Sequence, residues 1–219
     1  MTYLDANASE PLRPAARAVT LAAMMVAGNP ASVHAAGRAA RRVLEDAREA
    51  IAARFVASPA GVVFTSGATE ADALAIAALG AGRRLIVGIT EHDAVRAAAP
   101  GAARLPVDRE GVADLEALSA LLQAGPPALV CLMAANNETG TIQPIAEAAA
   151  LCRRHGALLH VDAAQAAGRL ALDLGGSGAD SLALSSHKLG GPMGAGALLL
   201  TSDRPLAPLI AGGGQERGR

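Results

Sequence analysis

Short apolar runs separated by longer amphipathic stretches recur along this chain. "GVVF" from Gly61, "RLIVGI" from Arg84, "ALVCLMA" from Ala128, "ALLHV" from Ala157, "SLALS" from Ser181 and "AGALLL" from Ala195 are apolar over strand length. Runs of this kind predict strands buried on both faces of a sheet. Between them, "EADALAIAALG" after Thr69, "DLEALSALLQ" after Ala113 and "IAEAAALCRRHG" after Pro144 have helical spacing, with Gly156 ending the last. An earlier stretch, "SVHAAGRAARRVLEDAREAIAARF", places Val43, Leu44, Ala47, Ile51 and Phe55 on one stripe. It predicts a long amphipathic helix with Ser32 as N-cap and its arginines and acids in water.

Strands alternating with helices through short loops predict a three-layer α/β/α domain built around a mostly parallel sheet. Polar groups begin where apolar runs stop: "TSGATE" follows "VVF", "ANNETG" follows "ALVCLMA", "DAAQ" follows "ALLHV" and "SHK" follows "SLALS". Strands that share a direction bring these ends to one rim, where open α/β sheets bind ligands.

Composition narrows the function classes. At 219 residues and 52% hydrophobic, the chain can bury one sizeable core, and no shift in composition divides it. Lys and Arg total 19 against 20 Asp and Glu, and aromatic residues are 1% with no Trp. Neither a basic field nor stacking platforms are available, so nucleic acid is not an expected partner. The start, "MTYLDANASEPLRP", lacks the basic region and apolar run of a secretory leader. The longest uncharged stretch, Ala117 to Asn137, is broken by Gln123, Gly125, Pro126 and Pro127, so a soluble chain without a membrane span is expected. Cys131 and Cys152 have neither pairing nor metal-ligand spacing and read as buried thiols in a reducing cytoplasm.

Chemistry enters with Lys188, a lone lysine in "ALSSHKLGGPMGAGALLL" between two buried strands. Asp162 closes another apolar run, where a carboxylate needs a cation or a donor beside it. One cofactor uses such a pair: pyridoxal 5'-phosphate forms an imine with a lysine, and an acid keeps its ring nitrogen protonated. The turn Ser66–Gly67–Ala68–Thr69 opens a helix whose first amides suit an anion such as phosphate, although strand-Gly-helix turns also arise from packing alone. His92, after "LIVGI", could stack on a flat ring and exchange protons, or simply cap a helix. Asn137 and Gln165 could donate to ring oxygens, and Ser185 and His187 to phosphate oxygens.

These stretches also carry a resemblance. "YLDANASEPLRP", "GNPASVHAAGR", "VVFTSGATEADALAI", "TEHDAV", "NNETGTIQPI", "HVDAAQAAG", "SSHKLGGPMGAGAL" and "GGGQERG" come in the order and spacing of cysteine desulfurases, class V aminotransferase-like enzymes of the fold-type I pyridoxal phosphate group. The resemblance implies an N-terminal arm over residues 1–14 and a cofactor-binding large domain over 15–219. It implies that Lys188 holds the cofactor and later moves a proton, that His92 stacks on the ring and that Asp162 pairs with the ring nitrogen. Asn137 and Gln165 would contact the ring hydroxyl region, and Ala68, Thr69, Ser185 and His187 would hold the phosphate. The implied reaction takes L-cysteine to L-alanine and leaves a persulfide on an enzyme cysteine, for a sulfur-acceptor or scaffold protein in iron-sulfur cluster assembly or thiolation.

Family members continue past "GGGQERGR" into a small domain that carries the nucleophilic cysteine and a substrate-clamping arginine. A cross-dimer phosphate threonine follows the same point. Cys131 and Cys152 do not match the nucleophile's place, so this chain alone is expected to be inactive; full-length family members are implied to be homodimers, and the apolar surface that a small domain would cover implies self-association of this chain. Other class V relatives, such as a selenocysteine lyase, or a catalytically dead fragment acting by dimerisation, share the same signature. A nucleotide-binding domain is disfavoured by the lack of a GxGxxG or GxxxxGK[ST] pattern after the first strand.

Overall fold

The computed structural model describes residues 2–201, 206–214 and 216. Its seven strands are β1 (Val62–Thr65), β2 (Arg84–Gly88), β3 (Ala103–Leu105), β4 (Ala128–Cys131), β5 (Leu158–Asp162), β6 (Ser181–Ser185) and β7 (Gly196–Leu200). They form one sheet in the order β1-β7-β6-β5-β4-β2-β3. The run from β6 to β3 is parallel, while β7 lies antiparallel to both β6 and β1. Because β7 reverses twice over, β1 points the same way as the parallel strands, and its C-terminal end joins their rim.

Helices cover both faces, as six doubly apolar runs require. Side chains alternate along each strand. Val130, Leu159, Val161 and Leu182 enter one buried cluster with residues of α2 (Ala35–Arg54), α5 (Leu115–Gln123) and α6 (Ile145–Arg154). Leu129, Cys131, Leu158 and Ala183 enter the other with α3 (Ala68–Leu79) and Val95 of α4 (Asp93–Ala98). The three-layer arrangement expected from the sequence is what the chain adopts.

Several local expectations are corrected. The N-cap of α2 is His34, whose side chain accepts from Gly37 N, and not Ser32. Val43, placed on the buried stripe, is exposed. Arg48, expected in water, is 4% exposed and is the centre of a closed network. Its guanidinium donates to Val62 O, and at 2.7 Å and 3.1 Å to the two oxygens of Glu216, while lying 4.7 Å over the Phe64 ring. Glu216 also accepts from Phe64 N at 3.0 Å. The "GGGQERG" stretch is thereby tied to β1 through Glu216; its Gln215, Arg217 and Gly218 lie outside the described residues.

The run "ALVCLMA" stops being a strand at Cys131, and Leu132–Ala134 continue as buried loop. The sequence reading also passed over α1 (Pro14–Met24), β3 and a single turn, α7 (Leu174–Ser177), and of α4 it anticipated only a start at His92. No residue of α1 is buried, and Val19, Leu21 and Met24 are exposed. Among the described residues, no helix is long and apolar enough to cross a membrane.

Candidate active site at the strand rim

The loops that follow β1, β2, β4, β5 and β6 enclose a cavity of about 560 Å³. Ala68, Thr69, His92, Asn137, Asp162, Gln165, Ser185, His187 and Lys188 all line it, so every candidate residue reaches the same space. Ser9, Asp72, Met133 and Met193 complete much of its wall.

Each element contributes for a local reason. The last residue of β5 is Asp162, 6% exposed, whose Oδ1 accepts from Ala164 N at 2.8 Å. Next to it, β6 ends in Ser185 and turns through Ser186–Lys188, which presents His187 and Lys188 over the same rim. On the far side of β7, the chain leaves β1 through Ser66 and enters α3 at Gly67 with no side chain capping the helix. Uncapped amides at a helix N-terminus attract an anion. The loop can sit this low because β7 begins with Gly196: a Cβ there would stand 2.6 Å from Gly67 Cα.

His92 does both things that its position allowed. Its Nδ1 accepts from Ala94 N at 3.1 Å and caps α4, and its ring lines the cavity. With Nδ1 accepting, the neutral ring carries its proton on Nε2. The two amide side chains are held within the chain: Asn137 donates to Glu138 Oε1, and Gln165 donates to Asn7 O. Lys188 also donates to Asn7 O. The N-terminal segment therefore closes one side of the site through a backbone carbonyl, which no side-chain pattern could have signalled.

Electrostatics set the groups in distinct states. Burial pushes the Asp162 carboxyl up to about 7, the charge of Asp72 adds to this, and the Ala164 amide, His160 and Lys188 oppose it. Lys188 is lowered from the ordinary lysine value, first by desolvation and then by the Arg169 charge, with Asp162 and Asp5 pulling the other way. His187 is lowered by desolvation and by Lys188. Its Nδ1 is buried without a partner among the described residues.

Sequence reasoning missed the buried polar groups that form part of this wall or back it. Asp72 on α3 and His160 on β5 are both 0% exposed and meet at 3.0 Å through Oδ1 and Nε2. His160 Nδ1 in turn faces Ser181 Oγ at 2.8 Å. The available signal was a charged or polar residue inside an otherwise apolar element, Asp72 in "ADALAIAAL" and His160 in "ALLHV". Glu91 is similar: it is 3% exposed, accepts from Met133 N at 2.6 Å, and is raised well above its usual range, chiefly by burial.

Comparison with known proteins now decides the family. The family described as Aminotransferase class-V matches residues 2–217. The chain belongs to the class V aminotransferase family. An IscS-like cysteine desulfurase of Mycobacterium tuberculosis is 42% identical over 234 residues, which cover 99% of this chain and 60% of that protein. Among solved structures, a NifS-like protein from Rickettsia africae superposes with a TM-score of 0.94 at 32% identity, over 100% of this chain and 63% of that one. SspA in complex with cysteine superposes at 0.86 with 30% identity, over 100% of this chain and 67% of that one. The chain thus spans about three-fifths of the desulfurase that it matches.

Class V enzymes use pyridoxal phosphate, and the cavity can be measured against that group. Its volume is in the range of small-molecule sites. It offers an amine of lowered basicity, an acid on the neighbouring strand end, an uncapped helix N-terminus, and an imidazole nitrogen without a partner among the described residues. Each satisfies one part of the cofactor: aldehyde, ring nitrogen and phosphate. The residues fit the group.

Proposed function

We propose that this chain is the pyridoxal phosphate-binding large domain, residues 15–219 with an arm over 1–14, of a cysteine desulfurase that takes sulfur from L-cysteine. The observation that carries this reading is the placement of Lys188 and Asp162 at the ends of adjacent strands on one cavity, beside the open N-terminus of α3. The cysteine desulfurase names of the relatives and the cysteine complex of SspA support the substrate.

When bound, the cofactor supplies an aldehyde for amine capture and an electron-withdrawing ring that stabilises charge at a substrate carbon. The chain's own groups supply the rest. Desolvation beside Arg169 raises the neutral fraction of Lys188, the form that attacks a carbonyl and that later accepts or returns a proton. Asp162 would pair with the ring nitrogen. His92 would offer its planar ring to the cofactor's face, and Asn137 and Gln165 would contact the hydroxyl region. Ala68, Thr69, Ser185 and His187 would hold the phosphate, whose charge the α3 N-terminus would favour.

Sulfur release needs a thiolate, and neither cysteine of this chain offers one. Cys131 and Cys152 are buried, and burial pushes Cys152 up to about 12 and Cys131 upward as well. The persulfide-forming thiol is therefore not among these 219 residues, and the chain alone binds cofactor without releasing sulfur. Within a complete enzyme, the reading extends to a homodimer that hands sulfur to an acceptor or scaffold protein for iron-sulfur cluster assembly or thiolation. Two unpaired buried thiols favour a reducing compartment such as the cytoplasm.

Borohydride reduction of the chain mixed with pyridoxal phosphate, followed by peptide mass spectrometry, tests the reading. The adduct is expected on Lys188 and is absent in Lys188→Ala. A dominant adduct on another amine, or none, overturns it. Alanine formed from cysteine by the isolated chain, and lost in Lys188→Ala, would refute the inactive state alone.

A further inference from the structure

Beyond its last strand residue, the chain that leaves β4 keeps bonding as a strand. Leu132 N and Ala134 N donate to His160 O and Asp162 O of β5, at 3.1 Å and 2.9 Å. The amide between them, Met133 N, faces the opposite side, where β2 would continue. That strand ends at Gly88, and its ladder with β4 stops at Val87 and Cys131, so the sheet offers this amide no carbonyl. Glu91 fills the gap with a side chain: its Oε1 accepts from Met133 N at 2.6 Å. It can fold back because residue 88 is glycine, where a Cβ would stand 2.9 Å from Glu91 Oε1.

A second bond runs in the reverse sense between the same loops. Asn136 Nδ2 donates to Thr90 O at 3.1 Å and lies 3.2 Å from Met133 Sδ, while Asn136 Oδ1 accepts from Glu138 N and Thr139 N at 2.9 Å each. Glu91 and Asn136 are 3% and 7% exposed, and each is followed directly by a residue that lines the cavity, His92 and Asn137. The two loops are therefore joined behind the wall, one residue away from the groups that form it.

We propose that Glu91 and Asn136 are positioning residues that act through their neighbours: the reciprocal bonds between the loops after β2 and β4 fix the spacing of His92 and Asn137 across the cavity. What that spacing serves rests on the cofactor reading above; the clamp itself does not. A packing role alone would be met by an apolar side chain without the cost of burying a carboxyl. The contact needs no particular charge on Glu91, because a carboxyl oxygen accepts in either protonation state. Glutamine supplies the same oxygen, whereas alanine leaves the buried Met133 amide without an acceptor. Asn136→Asp keeps the acceptor for Glu138 N and Thr139 N and removes only the donor to Thr90 O, which isolates the bond between the loops from the turn that follows it.

Amide hydrogen exchange of the cofactor-free, full-length chain, read by NMR, tests the clamp. The Met133 amide is expected to be protected in wild type; free exchange there overturns the proposal. In Glu91→Ala and in Asn136→Asp its exchange should quicken about tenfold, with Leu129 and Leu159 in the neighbouring strands unchanged, while Glu91→Gln stays near wild type. Equal quickening at all three amides assigns the effect to general stability and overturns the proposal, as does a Glu91→Gln variant that behaves like Glu91→Ala. The second readout is the dissociation constant for pyridoxal phosphate. It should rise about tenfold in Glu91→Ala and Asn136→Asp and stay within about twofold in Glu91→Gln. Unchanged affinity in the first two, with faster Met133 exchange, removes the positioning role. Should Glu91→Ala fail to fold, Asn136→Asp carries both measurements. Failure of borohydride labelling at Lys188 would remove the cofactor reading and leave the exchange pattern as it is, so the two failures are distinguishable.

Discussion

Two buried networks of charged side chains lie in different parts of this molecule. Around Arg48, the guanidinium, both Glu216 oxygens and the backbone of β1 have partners, and the Phe64 ring covers the cation. Around Asp72, one oxygen is held and the other is not, in a wall shared with an acid titrating near neutrality. A closed network of opposite charges ties segments together. An incomplete one, with a buried oxygen unpaired among the described residues, costs stability at the site it lines. The first belongs to the scaffold and the second to the site.

Breaking the closed network should cost most. Arg48→Ala strands Glu216 in a largely buried place, and is expected to lower the free energy of unfolding by about 3 kcal/mol in urea titration. A loss below about 1 kcal/mol would place Arg48 with ordinary surface pairs.

A pH series comes next. The folded-state value for Asp162, about 7, lies above the ordinary aspartate value, so the folded chain binds more protons than the unfolded one between about pH 4 and 7. Stability of the cofactor-free chain should therefore fall as pH rises through that window, with a slope of up to about 1.4 kcal/mol per pH unit, and level off above it. Glu91, raised in the same direction, adds to the decline. Asp162→Asn should flatten the series; an equally steep decline in that variant would remove Asp162 as its source.

The smallest effect sharpens the contrast. Asp72→Asn keeps an oxygen that can face His160 and replaces one that lacks a partner among the described residues, so its cost in the same urea titration should stay below about 1 kcal/mol. A loss equal to that of Arg48→Ala would make the two networks alike, and the contrast would fail.

Much of this was legible from the sequence, for reasons that also mark where legibility ends. Strands buried on both faces announce themselves as apolar runs, so six of the seven were readable; β3 spans only Ala103–Leu105 and is too short to show a pattern. The rim was legible because polar residues mark where parallel strands stop. Lys188 and Asp162 stood out as charges at the ends of apolar runs. Asp72, His160 and Arg48 did not, because a charge within a helix or strand reads as a solvated face until its tertiary partner is known. Glu216 lies 168 residues from Arg48, a distance that no local pattern spans. The short helix α1 escaped notice because it buries nothing against the sheet, and tertiary burial is what sharpens a helical stripe.

The hold of Arg48 and Glu216 on Val62 and Phe64 has a consequence for the protein's behaviour at high concentration. Among the described residues β1 pairs on one side only, and these side chains occupy backbone groups on its bare margin. A margin whose hydrogen-bonding groups are already engaged is a poor template for a foreign strand. The same two side chains should therefore shield the sheet from intermolecular β-pairing, a form of aggregation to which its other margin, β3, has no equivalent described barrier.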